Sequence, residues 1–398
     1  MTSAALRARH DAAWRDPVQV ATHWADAGAV DPRLLRHTVR GAFWDTLAAH
    51  RLTLLVTREY EHLVIALGAS RAGPEVSYLP LPHPNGLAVD VSRGVVHVAS
   101  TRNPNQVFDL VPATGVTTAG SGRVRPLPAR PLIPVRSRLF PGSLYLHDLA
   151  LVGGVLHANA VGENAIVRLH ADGRHDRVWW PRCVESASGP RFAPNFLQLN
   201  SIAAGPTLRA SYFSASTDAP SARRPGHRNF AADGRGVIFS GASRVPIVRG
   251  LTRPHSARLH DGDLWVANSG YGEVGVCARG RFTAVGRLPG WTRGLGFHRH
   301  LAFVGTSQIL PRFRHYAPGL EPGRCVCAVH VLDTRTGRVL GSLTWPYGNQ
   351  IFAVEPVPRS LTAGLPLRAG RRGTGRRERG LFSGFVTRAG KDASADER

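Results

Sequence analysis

The chain has 398 residues, of which 43% are hydrophobic and 19% are charged, an ordinary composition for a large globular protein. A net charge of +23 would by itself suggest a polyanionic partner, but Lys391 is the single lysine among 50 basic residues. A GC-rich genome explains that bias, and the positive charge is spread along the chain instead of clustering with aromatic residues. The composition therefore argues against nucleic-acid binding.

The chain also lacks the usual signals for membranes and export. No apolar run approaches the roughly 20 residues of a membrane span, and the first 17 residues have no apolar core of a secretory signal. We therefore predict a cytoplasmic protein without a membrane partner. The sequence leaves the oligomeric state open.

Residues 1–50 differ from the rest of the chain and predict an N-terminal helical cap. Apolar residues recur at i+4 over 35–47, as expected for a helix face. Asp31 would be the N-cap residue and Pro32 the first helical residue, where the missing N–H costs nothing. The segment is either a lid over a functional face or a plain structural cap.

The middle of the chain repeats one pattern, in which a polar residue precedes an apolar strand, a turn and a second apolar strand. The fullest copy covers 253–274, where Asp261 and Gly262 supply a tight hairpin turn. Six leading residues are separated by 64, 53, 55, 38 and 57 positions: His83, His147, Asn200, His255, Arg293 and Gln350. This spacing, with loop insertions, is typical of propeller blades.

We therefore predict an all-β protein, a six-bladed β-propeller over residues 51–360 with a short N-terminal helical segment. The strand-like runs 52–57 and 62–67 would complete the sheet begun by the last copy at 351–354 and so close the ring. Two stacked β-sandwiches need the same strands but not the periodicity. Residues 361–398, rich in arginine and glycine, are predicted to be a basic, disordered tail.

The leading residues should face one another across the central channel, because equivalent strands line it in every blade. Three of them, His83, His147 and His255, suggest a divalent transition metal, zinc, copper or iron, with an open position for catalysis. Pro82 and Pro84 leave the register of His83 open, so Asn85 is the alternative channel residue. Asp148, directly after His147, would point to the opposite face of a regular strand, but at the start of a strand it could hydrogen-bond a neighbouring imidazole.

Four further residues are candidates for catalytic roles. Arg293 would anchor an acidic group of the substrate, while Asn200 and Gln350 would orient it. Tyr271, on a glycine-rich turn at the channel rim, is a candidate acid or base. Two of these residues also have an ordinary structural interpretation. Arg293 could form a salt bridge in the channel, and Tyr271 could simply be exposed on its turn.

Residues 253–262, Trp265, 269–273 and 288–295 resemble a family of bacterial "conserved hypothetical" proteins, and the likeness extends over about residues 50–358. The resemblance implies a propeller but no reaction. The sequence departs from the family pattern at Gln198 and Gln350, where the family has His and Glu, and at His83, where it commonly has another residue.

A second, more distant likeness is to six-bladed propeller lyases and lactonases, including the peptidyl-hydroxyglycine lyase type. That likeness implies a metal held by three histidines from different blades, with tyrosine and arginine nearby. The predicted function is a metal-dependent enzyme of lyase, hydrolase or oxidative type, acting on a small molecule or peptide in a bacterial biosynthetic pathway. The alternative is a non-enzymatic propeller that binds a protein or glycan, which a dry and filled channel would favour.

Overall fold

A computed structural model describes residues 2–13, 30–101, 105–117, 123–369 and 384–387, and its strands form six antiparallel blades of a β-propeller. This confirms the predicted fold class. Blade 1 consists, from the channel outwards, of Val354–Pro358, Leu52–Arg58, Leu63–Ser70, Gly73–Pro80 and Leu367–Arg368. Blade 2 consists of Pro84–Asp90, Val95–Ser100, Asn105–Thr117 and Leu132–Phe140, with Val124–Pro126 and Phe385–Thr387 paired to the long third strand.

The other four blades have the same arrangement. Blade 3 consists of Leu146–Val152, Val155–Ala160, Ala165–Leu169 and His175–Trp179. Blade 4 consists of Leu199–Ala203, Tyr212–Ala215, Gly236–Ser240 and Pro246–Leu251. Blade 5 consists of Pro254–His260, Asp263–Asn268, Glu273–Ala278 and Arg281–Arg287. Blade 6 consists of Trp291–His298, Leu301–Ser307, Ala328–Asp333, Val339–Thr344 and Thr38–Gly41.

The short elements outside the blades are few. A separate two-stranded ribbon pairs Glu185–Ser186 with Gly189–Pro190. The α-helices of the described residues are Ser3–Ala13 and Phe43–Ala49. The 3-10 helices are Pro32–Leu35, Val161–Glu163, Arg182–Val184, Leu208–Ala210, Ser269–Tyr271, Pro311–Tyr316 and Pro322–Arg324. Within the described ranges, no helix has the length and apolar character that crossing a membrane requires.

The ring closes through blade 1, as the sequence predicts. Val354–Pro358, from the end of the propeller, pairs in antiparallel fashion with Leu52–Arg58, from its beginning. Each pair of neighbouring blades buries one apolar cluster between its sheets, six in all among the described residues. Because every blade needs two neighbours to cover its faces, closure completes the core as well as the ring.

The N-terminal segment combines the predicted cap with an unexpected strand. Asp31 caps the 3-10 helix Pro32–Leu35 by accepting a hydrogen bond from the Arg33 backbone N–H, which confirms the predicted capping. Thr38–Gly41, however, forms the outer edge of blade 6, so the helix begins only at Phe43. The i+4 pattern extended across this strand because Val39 and Leu35 pack against the same cluster as the helix.

The C-terminal segment is ordered further along than the predicted tail boundary at residue 361. Thr362 accepts a hydrogen bond from Thr53 through its carbonyl, and Leu365 is buried between blades 1 and 2. Leu367–Arg368 then extends blade 1, and Phe385–Thr387 pairs with blade 2. These backbone pairings are the physical reason why composition alone placed the boundary too early. Residues 370–383 and 388–398 of the predicted tail lie outside the described residues.

Candidate active site in the channel mouth

Each blade contributes one residue to an inner ring at the end of the channel where the inner strands begin. In five blades this residue comes directly after a residue that is paired with the second strand of the blade. The register of strand pairing shifts at the same point. In blade 1, Phe352 takes the place, since its N–H bonds the Thr57 carbonyl and its ring contacts Arg293. The inner ring consists of Asn85, His147, Asn200, His255, Arg293 and Phe352.

A second set of residues, the rim ring, lies two positions earlier in every blade. Four of its members have a positive φ, which turns the chain from a loop into the inner strand. The rim ring consists of His83, Tyr145, Gln198, Arg253, Trp291 and Gln350. The sequence prediction therefore needs correction at two residues, because His83 and Gln350 belong to the rim ring and not to the inner ring.

Arg293 spans the channel and joins two of the predicted histidines. Its Nε donates to His255 Nε2 at 3.1 Å, and its Nη2 to His147 Nε2 at 3.0 Å. The flat face of the guanidinium lies 3.3 Å from the centre of the Phe352 ring, a close cation–π contact. The two imidazole centroids are 5.0 Å apart. The structure thus brings together three of the predicted residues in one hydrogen-bonded group.

Both imidazoles in this group are neutral. Arginine can only donate, so both Nε2 atoms are acceptors and the ring protons lie on Nδ1. His255 Nδ1 donates to Ser256 Oγ at 3.0 Å, and His147 Nδ1 lies 3.4 Å from the Asn200 carbonyl. Burial, and then the Arg293 charge, hold the pKa of both histidines well below its usual value. Burial also lowers the pKa of Arg293 to about 10, still high enough to keep it charged at neutral pH.

The donor set does not fit the three-histidine metal site suggested by the sequence. His83 packs against His62, with ring centroids 4.4 Å apart, and is not among the residues lining the cavity. The two remaining Nε2 atoms already accept hydrogen bonds from a cation. Among the described residues, no group of three or more histidine, cysteine, aspartate or glutamate side chains is placed to hold a metal ion. Metal binding thus stays a prediction that would require Arg293 to move away.

The inner and rim rings open into a cavity of about 330 Å³. Two long connections complete its walls, one between the second and third strands of blade 4 and the other at the same point of blade 6. The lining residues are Glu59, Tyr60, Tyr145, His147, Asn195, Gln198, Asn200, Arg224, Pro225, Gly226, Arg253, His255, Trp291, Arg293, Gln308, Ile309, Phe313, Tyr316 and Gln350. The cavity is therefore polar and aromatic, and its floor is formed by four inner-ring residues, His147, Asn200, His255 and Arg293.

The N-terminal helix contacts this end of the propeller. Arg7, on the helix Ser3–Ala13, donates to the Gln308 side chain at 2.5 Å, and Gln308 lines the cavity. The contact places Arg7 beside one wall residue of the cavity. The lid role suggested by the sequence stays a prediction.

The remaining predicted residues have structural contacts. Asn200 donates to the Pro254 carbonyl at 2.9 Å and so ties blade 4 to blade 5, although it still lines the cavity. Gln350 lines the cavity and donates to the Gln308 carbonyl at 3.2 Å. Tyr271 does not reach the cavity, since its hydroxyl donates to Asp233 at 3.0 Å. The prediction that Asp148 bonds an imidazole is wrong, because its carboxylate pairs with Arg258 at 2.8 Å.

Sequence reasoning missed Arg253 and Phe352 as members of the site. Both lie in segments that the repeat pattern includes, Arg253 two residues before His255 and Phe352 two residues after Gln350. Aligning the copies on their hairpin turns places Arg253 two residues before the inner-ring position, whereas the copy with Phe352 has no such turn because Leu52–Arg58 completes its sheet. In four blades the inner strand runs into a hairpin turn, and the inner-ring residue lies five positions before the last residue of that strand. These inner-ring residues are Asn85, His147, His255 and Arg293.

The two neutral histidines predict a pH dependence of stability. Unfolded histidine takes up a proton as the pH falls through about 6.5, while the folded state keeps these two neutral to a lower pH. The stability that these two neutral histidines contribute is therefore fully present above pH 6.5. Below pH 6.5 the free energy of unfolding falls by up to about 1.4 kcal/mol per pH unit for each histidine. Glu355 has the opposite effect on stability. Burial raises the pKa of its carboxyl to about 7, so the folded state gains stability relative to the unfolded state as the pH falls below 7.

The test is therefore a comparison of variants. We expect His147→Gln and His255→Gln to lose less stability than the wild type between pH 7 and 5 in thermal unfolding. His175→Gln, at a half-exposed position on the outer strand of blade 3, serves as the control and should follow the wild type. Parallel curves for all four proteins would contradict the assignment of neutral imidazoles.

Fold and site together define the chain as a six-bladed β-propeller with a polar, arginine-containing cavity at one channel mouth. The chain belongs to the family described as "Domain of unknown function (DUF4915)", whose model matches residues 41–364. No curated protein matches the sequence. The family membership confirms the resemblance to an uncharacterised family.

Solved structures support the fold. The chain is similar to a structure from a nidogen/laminin complex, at 10% identity and a TM-score of 0.51, covering 77% of this chain and 98% of that one. A gluconolactonase from Xanthomonas campestris matches at 14% identity and a TM-score of 0.41, covering 67% and 77%. A protein of unknown function from Bacteroides caccae matches at 12% identity and a TM-score of 0.49, covering 77% and 99%. At such identities the likeness concerns the fold alone.

Proposed function

We propose that the chain is an enzyme that acts on a small molecule carrying an acid group, bound in the channel mouth and held by Arg293. The main support for this proposal is the hydrogen-bonded group that Arg293 forms with two neutral imidazoles on the floor of the cavity. A cation for an anionic substrate and two potential bases for proton transfer thus share one small, partly apolar space.

Substrate binding and base strength are coupled in this arrangement. An acid group that accepts hydrogen bonds from Arg293 replaces at least one imidazole as its partner and neutralises the guanidinium charge. Because that charge lowers the pKa of His147 and His255, its neutralisation raises both values toward neutrality. The released Nε2 atom then has a free lone pair and a pKa better suited to general-base catalysis.

Two of the reaction types expected from the sequence need only a base and a cation. In an elimination, the imidazole takes the proton next to the substrate carboxylate, the bond from the β-carbon to its hydroxyl breaks, and the imidazolium returns the proton to that hydroxyl, which leaves as water. In a hydrolysis, it takes a proton from the water that attacks an ester or lactone carbonyl and returns it to the leaving alcohol. Metal dependence and the biosynthetic setting remain predictions, and neither reaction as written includes a metal.

The binding part is tested by calorimetry with monocarboxylates from propionate to hexanoate, with benzoate and with phenyl phosphate. We expect at least one probe to bind the wild type and to lose about tenfold or more in affinity in Arg293→Met, since a charged hydrogen bond is removed. Arg338→Gln removes an exposed arginine and is the matched control. Equal binding by all three proteins would contradict the role of Arg293.

The catalytic part is tested with carboxylate-bearing lactones, esters and β-hydroxy acids, followed by proton NMR. We expect turnover by the wild type and a loss of about a hundredfold or more in His255→Gln or His147→Gln, with binding retained. If the wild type binds these compounds but converts none of them, the enzymatic proposal fails for both reaction types. A propeller that only binds its ligand would then be the better description.

A further inference from the structure

A second arginine in the same cavity, Arg253, lacks an acid partner. Among the described residues it forms no ion pair, and its Nε and Nη1 atoms are buried without a hydrogen-bond acceptor. It is a rim-ring residue that lines the cavity two positions before His255. Buried guanidinium nitrogens normally have acceptors, because burying an unpaired charged donor is costly.

The protein holds this guanidinium in place by packing. Its carbon lies 4.5 Å from the centre of the Tyr316 ring. Tyr316 is itself fixed, since it is buried and its hydroxyl accepts a hydrogen bond from the Gly226 N–H at 2.8 Å. The backbone of Arg253 has a φ of 54°, a conformation that few residues other than glycine adopt. A strained backbone and an aromatic platform thus present a cation that the described chain does not neutralise.

The charges of the cavity point to the same need. Three of the described lining residues are arginines, Arg224, Arg253 and Arg293, and Glu59 is the only carboxylate among them. Because the two imidazoles are neutral, the lining carries three positive charges and one negative charge, an excess of two. Arg224 is exposed to solvent, which leaves Arg253 and Arg293 as the two partly buried cations that a ligand would contact.

We propose that the ligand of this cavity carries two acid groups, one held by Arg293 on the floor and the other by Arg253 on the rim. The body between them lies along the aromatic wall formed by Trp291, Phe313 and Tyr316. The inference rests on the proposed function and narrows its substrate class to dicarboxylates or to carboxylates that also bear a phosphate-type group. Both kinds of acid offer the oxyanion that a guanidinium recognises.

The test compares ligands with one and two acid groups by calorimetry. The probes are the dicarboxylates from malonate to pimelate, the monocarboxylates of equal carbon number, and phosphonoacetate and 3-phosphonopropionate. We expect one chain length to bind the wild type at least about tenfold more tightly than its monocarboxylate. That advantage should fall to about twofold or less in Arg253→Gln, while the Arg338→Gln control keeps it.

The outcomes separate this inference from the proposed function. If monocarboxylates bind through Arg293 but no probe with two acid groups binds more tightly, the inference is wrong and the proposed function stands. An advantage that survives in Arg253→Gln also overturns it. Loss of all binding in Arg253→Gln is checked by circular dichroism and with Arg253→Lys, which keeps the charge. Binding restored by lysine supports the inference, and binding absent from a folded lysine variant contradicts it.

Discussion

Replacing Arg293 by methionine is expected to raise the pKa of both His147 and His255 toward the usual histidine value. Burial is the first cause of their low values and remains in the variant, but the guanidinium charge, the second cause, is gone. The two Nε2 atoms also lose the donors that keep them unprotonated. Long-range proton–nitrogen NMR of histidine-labelled protein reads both pKa values and the tautomer.

Two controls make this result specific. The pKa of His157 is lowered by burial away from Arg293 and should not change. Arg293→Lys keeps the positive charge and should leave the two values low, which separates the effect of charge from that of altered packing. Unchanged pKa values in a folded Arg293→Met would show that Arg293 does not govern the imidazoles.

The same variant tests the metal site suggested by the sequence. If Arg293 occupies the nitrogen atoms that a metal would need, Arg293→Met should take up zinc through His147 and His255 more tightly than the wild type does. Metal analysis by inductively coupled plasma mass spectrometry, with His147→Gln in the same background, measures this. Near-stoichiometric metal in the wild type that is lost in His147→Ala and His255→Ala would instead support the sequence prediction.

Breaking the largely buried ion pair between Asp148 and Arg258 is expected to cost about 3–5 kcal/mol of stability. Asp148 accepts hydrogen bonds from Arg258 at 2.8 and 3.1 Å and from the Ile202 N–H at 3.1 Å. Only 6% of its side chain is exposed. In Asp148→Asn the Arg258 charge stays buried without its main partner. Urea unfolding monitored by fluorescence measures the loss.

A double variant and an exposed pair complete that experiment. Asp148→Leu combined with Arg258→Met removes both charges of the pair and should recover part of the lost stability. The recovery is incomplete because the Ile202 N–H loses its acceptor and Glu355 loses the nearby Arg258 charge. Asp172→Asn breaks an exposed pair with Arg174 that solvent screens, so it should cost far less stability than Asp148→Asn. A loss in Asp148→Asn no larger than in Asp172→Asn would contradict the structural role assigned to this pair.

The propeller could be predicted from the amino-acid sequence, because the evidence for it is local and repeated. Asp261 and Gly262 adopt the positive φ values that their hairpin turn requires, and residues 254–278 form the three predicted strands. The repeat count gave six blades, and the early and late strand-like runs predicted ring closure. It also placed His147, Asn200, His255 and Arg293 together, since each leads its repeat in the same register.

The sequence did not show which residues face the channel in blades 1 and 2. This could be read only from the three-dimensional structure. His83 and Gln350 were placed two residues out of register, and a shift of two leaves a side chain on the same side of a strand. Alternation of polar and apolar residues therefore cannot detect such an error. The contact of Arg293 with His147 joins residues 146 positions apart, across opposite blades. No local pattern encodes that contact, because it depends on how six blades close around one axis.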